Sequence, residues 1–309
     1  MSYPIKYDHS ISEKEDFWRQ EAQKIHWFTF PETILDKDDD DLYRWFSGGK
    51  MNTSYLALDV HVEQGRGDQI ALIYDSPVTG VKKKFTYKEL LHEVSLFAGV
   101  LKSLGVEKGD RIVIYMPMVP EAVIGMLACA RIGAVHSVVF GGFAAHELAI
   151  RINDARPKYI LMASGGKEID KIIPYKPIVD AGIKEAYFKP EGCIVLQRDF
   201  IPCDLVADYD LDWKNLVSKA SPVSYEIMDA CDPLYILYTS GTTGAPKGIV
   251  RDNGGHAVAL NSSMEYVYNA EPGNVYWAAS DIGWVVGHSY IGYALLMGGC
   301  TNYILEGIS

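Results

Sequence analysis

The sequence predicts an α/β fold of doubly wound, mainly parallel sheets, preceded by a helical N-terminal extension. From Gln69 onward, short apolar strands alternate with amphipathic helices, and this rhythm continues to a final strand at 301–305. Glycines such as Gly105 and Gly133 follow the predicted helices, as many helix ends require. The first sixty residues instead carry many aromatic side chains and an acidic run at 36–41. Strands that alternate with helices favour a doubly wound sheet, which binds ligands near the carboxyl ends of its strands.

Each element of the alternating region has its own local signal. Thr86 and Glu89 form a capping box, and the apolar positions after them share one helical face until Gly105. The other elements are apolar runs bounded by Gly, Pro and Asp. The predicted elements are strand 70–74, helix 86–104, strand 111–115, helix 121–132, strand 134–140, helix 144–154 and strand 158–163.

The chain divides into an extension and a larger domain. Residues 1–65 form the extension, in which Ser12 and Glu15 fit a capping box ahead of an amphipathic helix. Residues 66–309 form the larger domain. The pattern blurs over 187–223, where short apolar runs mix with Pro, Asp and Cys, and we predict a connection between two subdomains there.

Composition and charge exclude several classes of protein. The chain has 309 residues, 48% of them hydrophobic, and a formal net charge of −11. A surface of this charge repels phosphate backbones, so no nucleic-acid partner is expected. Residues 1–18 are too charged for a secretion signal. The apolar stretch 285–300 contains polar residues and is interpreted as buried core, so no membrane partner is expected.

Cysteine, histidine and acidic residues do not occur at the spacings that are typical of metal sites. The five cysteines lack a CxxC pairing, so neither a zinc site nor a disulfide framework is predicted, and a cytoplasmic location fits. The acidic run at 36–41 lacks the alternation of a calcium loop and is interpreted as a solvated loop. Four single histidines are interpreted as structural or surface residues: His61, His92, His136 and His146.

The segment 238–248 is the strongest functional signal. It contains Tyr-Thr-Ser-Gly-Thr-Thr-Gly-Ala-Pro-Lys-Gly and directly follows the apolar run 234–237. Glycines allow close backbone approach to a polyphosphate, hydroxyls donate hydrogen bonds, and the lysine offsets negative charge. A polar surface turn is the alternative, which the density of hydroxyl groups disfavours. The spacing fits neither the Gly-Lys-Ser/Thr loop of nucleotide hydrolases nor GxGxxG.

This loop resembles, over its whole length, the signature of the adenylate-forming enzymes, which include acyl-CoA synthetases, firefly luciferases and peptide-synthetase adenylation domains. In that superfamily the loop holds the phosphates of ATP. Ala245 stands where many relatives have a second lysine. The resemblance implies ATP contacts by Thr239, Ser240, Gly241, Thr242, Thr243, Gly244 and Lys247.

Other segments resemble the acetyl- and propionyl-CoA synthetase branch. The segment 281–290 (Asp-Ile-Gly-Trp-Val-Val-Gly-His-Ser-Tyr) resembles its acyl-pocket segment. This implies a small pocket, lined by Trp284, Val285 and Val286, whose bulky wall limits the length of the acid. The segment 251–256 (Arg-Asp-Asn-Gly-Gly-His) resembles propionyl-CoA synthetases more than acetyl-CoA synthetases.

The turn 138–143 lies between a predicted strand and a predicted helix, where free backbone amides favour an anion or an adenine edge. The resemblance implies CoA binding by Phe140, Gly141 and Gly142, and a tight strand-to-helix turn is the alternative. Glu168 and Lys171 stand where the branch uses arginines for the CoA phosphate. Lys171 is therefore a candidate CoA ligand, whereas a carboxylate at Glu168 opposes phosphate binding.

The resemblance implies the N-terminal portion of a two-step ligase. A short-chain carboxylate attacks the α-phosphorus of ATP to give acyl-AMP and pyrophosphate, and CoA then accepts the acyl group. Propionate is favoured, while acetate and slightly longer acids stay open. Mg²⁺ accompanies ATP, and its ligands are unknown. The ribose- and metal-binding residues and the catalytic lysine are expected beyond Ser309, so we predict an incomplete domain, an inactive isolated chain and self-association through uncovered apolar faces.

Two other functions stay open. One is a non-catalytic ATP- or CoA-binding protein, or a relic of a ligase, which the reading frame after codon 309 distinguishes. The other is a hydrolase or kinase with an unusual phosphate loop, which would release ADP rather than AMP and pyrophosphate.

Overall fold

The computed structural model describes residues 3–38, 41–168, 171–239 and 246–307. In these ranges a seven-stranded sheet with helices on both faces lies beside a four-stranded sheet, and the extension packs against the larger domain. This confirms the predicted α/β fold. No helix within the described ranges has the length and apolarity that crossing a bilayer requires.

The N-terminal extension consists of two helices and a β-hairpin. Ala22, Ile34 and Phe46 from the extension form a buried apolar cluster with Ala230 and Val258 from the larger domain. Burial of this cluster attaches the extension to the rest of the chain. The elements are α1 (Tyr3–Ser12), α2 (Lys14–Ala22), β1 (Thr33–Lys37), β2 (Tyr43–Ser47), which pairs antiparallel with β1, and β3 (Lys50–Met51).

The predicted capping box at Ser12 and Glu15 is wrong. Helix α2 begins after Glu13, and no side chain caps it. The Ser12 hydroxyl instead donates a hydrogen bond to the carbonyl oxygen of Asp8, 2.8 Å away. Ser12 is the last residue of α1, so its hydroxyl finds an acceptor one turn back in the preceding helix.

Two π-helical segments, Tyr55–Asp59 and Val62–Arg66, lead into the larger domain. The carboxylate of Asp59 accepts two hydrogen bonds from the guanidinium of Arg131, at 2.8 and 3.1 Å. Both side chains are buried. This bidentate ion pair fixes the first segment to the helix that carries Arg131.

The large sheet has seven strands, and all but the last are parallel to their neighbours. The two strands of this sheet that come next in the chain after the central strand lie on opposite sides of it. The strand order therefore reverses there, and ligands of doubly wound sheets bind at such switch points. In spatial order the strands are β12 (Asp210–Asp212), β11 (Gly192–Leu196), β8 (Tyr159–Ala163), β6 (Arg111–Tyr115), β7 (Val135–Val138), β14 (Pro233–Thr239) and β15 (Lys247–Asp252).

The helices cover both faces of the large sheet. The predicted capping box of the first one is confirmed, because the Thr86 hydroxyl accepts from the backbone N–H of Glu89 at 3.1 Å while the Glu89 carboxylate accepts from the N–H of Thr86 at 2.8 Å. The helix at 87–103 packs on the helix at 120–132, and the helix at 145–155 packs on the helix at 175–185. These helices, with three later ones, are α3 (Tyr87–Ser103), α4 (Pro120–Ile132), α5 (Ala145–Ala155), α6 (Tyr175–Glu185), α7 (Trp213–Lys219), α8 (Gly254–Tyr266) and α9 (Leu295–Met297).

Residues 187–223, where the sequence pattern blurs, contain β11, β12 and α7. They therefore add two strands to one edge of the large sheet. The ring of Trp213 stacks on that of Phe97, with centroids 3.7 Å apart, which attaches α7 to α3. Strand β12 has three residues, two of them aspartates, so it lacks the apolar run that predicts a strand. The division into two subdomains joined here stays a prediction.

The small sheet joins distant parts of the chain. The predicted strands at 70–74 and 301–305 pair with each other in parallel. A buried ion pair connects the two sheets, because Arg198, after β11, donates to Glu306, after the last strand, at 2.7 and 2.9 Å. In spatial order the strands are β16 (Val275–Tyr276), β17 (Thr301–Leu305), β4 (Ile70–Ser76) and β5 (Val81–Thr86); β13 (Met228–Asp229) pairs with β3, and β9 (Gly165–Glu168) with β10 (Lys171–Pro174).

A buried cluster of histidines and tyrosines lies between β7, β14, α8 and the π-helical segment Gly287–Ala294. The Nε2 atom of His136 lies 2.5 Å from the hydroxyl oxygen of Tyr293. Burial lowers the pKa of His256 to about 3 and that of His288 to about 4. Burial also lowers the pKa of His136 well below its ordinary value, so all three imidazoles are neutral at pH 7.

The four histidines singled out in the sequence occupy structural or surface positions, as predicted. His61 and His136 are buried, and His92 and His146 are exposed. Burial, with the nearby Arg66 guanidinium, lowers the pKa of His61 to about 4.

Candidate functional site

The two ends of the predicted phosphate loop, Thr239 and Lys247, belong to two paired antiparallel strands. Thr239 is the last residue of β14, Lys247 is the first residue of β15, and the two residues pair with each other. Both are exposed. The other predicted ATP contacts lie outside the described residues: Ser240, Gly241, Thr242, Thr243 and Gly244.

The strand that leads into this loop lies next to the strand that leads into the predicted CoA turn. Tyr235 of β14 pairs in parallel with His136 of β7. Parallel strands end at the same edge of a sheet, so Thr239, at the end of β14, and the turn beginning at Phe140 both lie at the carboxyl edge. The last described residue before the predicted phosphate loop is therefore at the same edge as the predicted CoA turn.

Arg151 of α5 connects these two segments. Its guanidinium carbon lies 4.6 Å from the ring centroid of Phe143, in the predicted CoA turn, and 5.4 Å from that of Tyr238, in β14. The Tyr238 hydroxyl donates to the carboxylate of Asp154 at 2.6 Å, also from α5. The end of β14 is thus held against α5 by a cation–π contact and a hydrogen bond.

The turn 140–143 depends on its glycines. The hydroxyl of Tyr115 lies within hydrogen-bond distance of the carbonyl oxygens of Gly141 (2.9 Å) and Phe143 (2.8 Å). A Cβ atom on Gly141 would stand 2.4 Å from the hydroxyl oxygen of Tyr175, and so would a Cβ atom on Gly166. Tyr175 therefore fits between the turn 140–143 and strand β9 only because both have glycine at the point of contact.

A small cavity opens at this point, where the strand order of the large sheet reverses. Its volume is about 40 Å³, and its walls include the turn 140–142 and the segment 117–118 after β6. Lys167 places a cation in the wall, and Asp281 and Glu306 place carboxylates there. The cavity is too small for a nucleotide, so a large ligand could only contact its rim.

The predicted acyl-pocket residues lie against the predicted CoA turn. The ring centroid of Trp284 is 5.6 Å from that of Phe140 and 6.1 Å from that of Phe143. A Cβ atom on Gly283 would lie 2.8 Å from the backbone nitrogen of Phe140, so glycine permits this approach. Trp284, Val285 and Val286 are 47%, 46% and 42% exposed. Three neighbouring apolar side chains left this exposed are typical of a ligand surface.

The predicted CoA residue Lys171 lies away from this cavity's wall. It is the first residue of β10 and pairs with Glu168 at the end of β9, near the tip of the hairpin. Lys167, in the same hairpin, lines the cavity instead. The role of Lys171 stays a prediction.

Several residues at the site have only weak signals in the sequence. Gly165 and Gly166 follow a strand end and precede Lys167, a pattern that could have indicated a lysine at the carboxyl edge. Arg151, Tyr115 and Tyr175 belong to ordinary helical and strand patterns, and only their tertiary contacts reveal them.

No metal cluster appears near these segments in the described parts of the chain. The close set of potential metal ligands found there is His9, Glu13 and Asp16, on the exposed N-terminal helices. The described residues at the carboxyl edge therefore give no set of protein ligands for Mg²⁺.

Comparisons with known proteins agree with the motifs. The family model described as "AMP-binding enzyme" matches residues 58–309, and that described as "Acetyl-coenzyme A synthetase N-terminus" matches residues 3–57. The chain is 48% identical to bovine mitochondrial acyl-CoA synthetase short-chain family member 3, covering 99% of this chain and 45% of the relative. It is 44% identical to propionate–CoA ligase of Escherichia coli K12, covering 100% and 49%.

The fold matches a solved structure as well. Acetoacetyl-CoA synthetase from Streptomyces lividans superimposes with a TM-score of 0.89 at 26% identity, covering 100% of this chain and 47% of that one. The chain spans about half the length of the relatives it matches. The predicted resemblance to the short-chain acyl-CoA synthetases is confirmed, and the chain belongs to the family of AMP-binding enzymes.

Proposed function

We propose that this chain is the N-terminal part of an AMP-forming acid–CoA ligase that activates a short-chain carboxylate, with propionate favoured and acetate as the alternative. One observation supports this most. The ring of Trp284, from the predicted acyl segment, lies 5.6 Å from that of Phe140, from the predicted CoA turn. Both lie near the carboxyl edge of the large sheet, where β14 ends at Thr239, so the proposed sites for three substrates share this edge.

In this proposal the loop 239–247 binds the ATP phosphates. Formation of acyl-AMP needs charge neutralisation and alignment more than covalent chemistry by the protein. Lys247 supplies a cation at the end of the loop, and the loop hydroxyls and amides supply hydrogen bonds. Mg²⁺ bound with ATP would neutralise further phosphate charge.

The acyl and CoA sites would share the wall formed by Trp284 and Phe140. Trp284, Val285 and Val286 would limit the length of the acid by excluded volume. Phe140, Gly141 and Gly142 would contact CoA along the rim of the small cavity, with Lys171 near the phosphate. The half-exposed state of Trp284 is consistent with a pocket whose second wall comes from elsewhere in the ligase.

We also propose ligands, a location and self-association for this chain. Carboxylate, ATP and CoA are the proposed ligands. The five cysteines are free thiols, which fits the cytoplasm. Self-association of the isolated chain is proposed because Trp277, Val275 and Trp284 are 51%, 60% and 47% exposed.

The ATP site can be tested on the chain itself. Replacing Lys247 by Ala removes one phosphate-binding cation and should weaken ATP binding about tenfold, which corresponds to about 1.4 kcal/mol. Isothermal titration with Mg-ATP measures this change. Lys219→Ala, on the exposed end of α7, is the control and should bind ATP like the parent. Equal affinity in the parent and Lys247→Ala would remove Lys247 from the site.

The ligase assignment is tested by the products and by the gene. With propionate, ATP and CoA, the full-length ligase should release AMP and pyrophosphate, whereas ADP would indicate a kinase or hydrolase. The isolated chain should form no propionyl-CoA. If the reading frame stops directly after codon 309, a non-catalytic binding protein or a relic becomes the better account.

A further inference from the structure

The predicted acyl segment, the predicted CoA turn and the start of the predicted phosphate loop are joined by a chain of aromatic contacts. The rings of Trp284 and Phe143 meet edge to face, with centroids 6.1 Å apart. Phe143 also lies against the guanidinium of Arg151, whose central carbon is 4.6 Å from the ring centroid. The same carbon lies 5.4 Å from the ring centroid of Tyr238, the residue before Thr239. A single cation therefore contacts rings from two of the predicted binding segments.

The helix that carries Arg151 fixes its side chain in this position. The Nη1 atom donates to the carboxylate of Glu147 at 2.8 Å and to the carbonyl oxygen of the same residue at 2.7 Å. Hydrogen bonds lie in the plane of a guanidinium, so they leave its faces available to aromatic rings. The side chain of Arg151 is 6% exposed. A group this buried does not bind a dissolved ligand itself, so its role is exerted through the side chains that it contacts.

Helix α5 also contacts both strands that flank the phosphate loop. Asp154, three residues after Arg151, accepts a hydrogen bond from the Tyr238 hydroxyl of β14 at 2.6 Å. Burial raises the pKa of that hydroxyl, so it stays protonated and can donate. A Cβ atom on Gly248 of β15 would lie 3.1 Å from Cε1 of Tyr238 and 3.3 Å from the carboxylate of Asp154. The ends of the loop are therefore positioned by the helix that also carries Arg151.

Side chains shared in this way favour coupling between two ligands. A ligand that orders one of the contacted segments also orders Arg151, and a second ligand then binds to a segment that has already lost part of its conformational freedom. Trp284 is 47% exposed, so a carboxylic acid can reach it directly and restrict the rings behind it. Thermodynamic linkage requires that the nucleotide and the acid change each other's affinity by the same factor.

We propose that Arg151 is a positioning residue that couples the binding of ATP at the phosphate loop to the binding of the carboxylate beside Trp284. This inference rests on the proposed ligase function. The guanidinium touches neither substrate, and it holds the rings of Phe143 and Tyr238 relative to each other. Each substrate then favours the arrangement of rings that the other one needs. Without Arg151, each substrate still binds alone, but the two no longer assist each other.

Isothermal titration of the full-length ligase measures this coupling. The nucleotide probe is Mg²⁺ with α,β-methylene-ATP, in which a CH₂ group replaces the bridging oxygen of the leaving group, so propionate forms no acyl-AMP. Its dissociation constant is measured without propionate and with saturating propionate. In the parent we expect propionate to tighten binding of the probe about fivefold. In Arg151→Met this factor should fall to about one, while the probe alone binds within about threefold of its affinity for the parent.

Further variants separate the ring contact from a general loss of structure. Tyr238→Leu removes the ring, leaves Arg151 in place and should abolish the coupling, whereas Tyr238→Phe keeps the ring and should retain it. Arg156→Met, at an exposed arginine directly after α5, is the matched control and should keep the factor of the parent. If Arg151→Met does not fold, as urea denaturation shows, the two Tyr238 variants decide the outcome.

Two results would overturn the proposal. The first is a parent ligase that binds the probe equally well with and without propionate. The second is a coupling factor that stays the same in Arg151→Met or in Tyr238→Leu, because the residue then only stabilises the fold, even if each ligand alone binds more weakly. Failure of the ligase function gives a different result, since the parent would then bind neither α,β-methylene-ATP nor propionate.

Discussion

Two neighbouring parts of the segment 284–294 differ from the usual pattern in opposite ways: the first exposes apolar side chains, and the second buries polar ones. Trp284, Val285 and Val286 are apolar and more than two-fifths exposed, whereas His288 and Tyr293, in the π-helical segment directly after them, are fully buried. Apolar side chains usually leave water and imidazoles usually reach it. We propose that this difference reflects two roles: the exposed apolar residues form a ligand surface, and the buried polar residues stabilise the interior.

The same contrast recurs along β7 and the turn after it. His136 is buried in the histidine–tyrosine cluster, and Phe140, four residues later, is only partly buried at the sheet edge. If the contrast has this meaning, changing the buried polar groups should alter stability strongly. Changing the exposed apolar ones should alter stability little.

The largest effect should come from acid, through the buried histidines. His61, His256 and His288 have folded-state pKa values of about 4, 3 and 4, below the ordinary value near 6.5. At pH values between the folded and the ordinary pKa, the unfolded chain therefore binds more protons than the folded chain. The stabilising contribution of the neutral histidines is complete above pH 6.5 and is lost as pH falls toward 4. Each histidine can remove up to about 1.4 kcal/mol per pH unit in this window.

Urea denaturation at pH 7.5, 6.5 and 5.5 measures this loss. The variant His92→Gln, at an exposed histidine, should give the same pH profile as the parent. A free energy of unfolding that stays constant from pH 7.5 to 5.5 would mean that the buried imidazoles do not resist protonation.

The next effect concerns the buried ion pair between Arg131 and Asp59. Replacing Arg131 by Leu should lower the free energy of unfolding by about 3–5 kcal/mol, because it leaves a buried carboxylate without its partner. Burial already raises the pKa of Asp59 despite the opposing effect of Arg131, so the variant should be least unstable at acidic pH. Chemical denaturation monitored by circular dichroism provides the measurement.

The matched control is Lys102→Leu, which breaks an exposed ion pair with Glu226. Exposed pairs contribute roughly 0–1 kcal/mol, so this variant should unfold almost like the parent. Similar losses in both variants would remove the distinction between buried and exposed charges.

The smallest effect on stability is expected for Val286→Ala. Val286 is 42% exposed, so truncation should change the free energy of unfolding by no more than about 0.5 kcal/mol. In the full-length ligase the same change should enlarge the proposed acyl pocket and raise kcat/KM for butyrate relative to propionate. A loss of several kcal/mol would instead identify Val286 as core.

The sequence predicted the elements whose determinants are local. The helix after Thr86 has a capping box, and the helix ending at Gly133 has a left-handed glycine, with φ of 74°. It did not predict β12, which lacks an apolar run. The capping box at Ser12 failed because a preceding helix supplied a competing acceptor.

The site was predictable segment by segment but not as a set of contacts. The acyl and CoA segments follow from motifs, yet the contact between Phe140 and Trp284 joins residues far apart in the chain, and no local pattern reports it. The lysine at the cavity is Lys167 rather than Lys171, because the hairpin β9–β10 places the former in the cavity wall.

The tyrosine held between the turn 140–143 and strand β9 has a mechanical consequence. Since the Tyr175 hydroxyl fills the space beside both Gly141 and Gly166, a shift of the turn 140–143 or of strand β9 toward Tyr175 would displace that side chain toward the other. We therefore expect the turn after β7 and the hairpin after β8 to move together rather than as two independent loops. A ligand that moves the turn 140–143 would thus also move Lys167, because the side chain of Tyr175 contacts both segments.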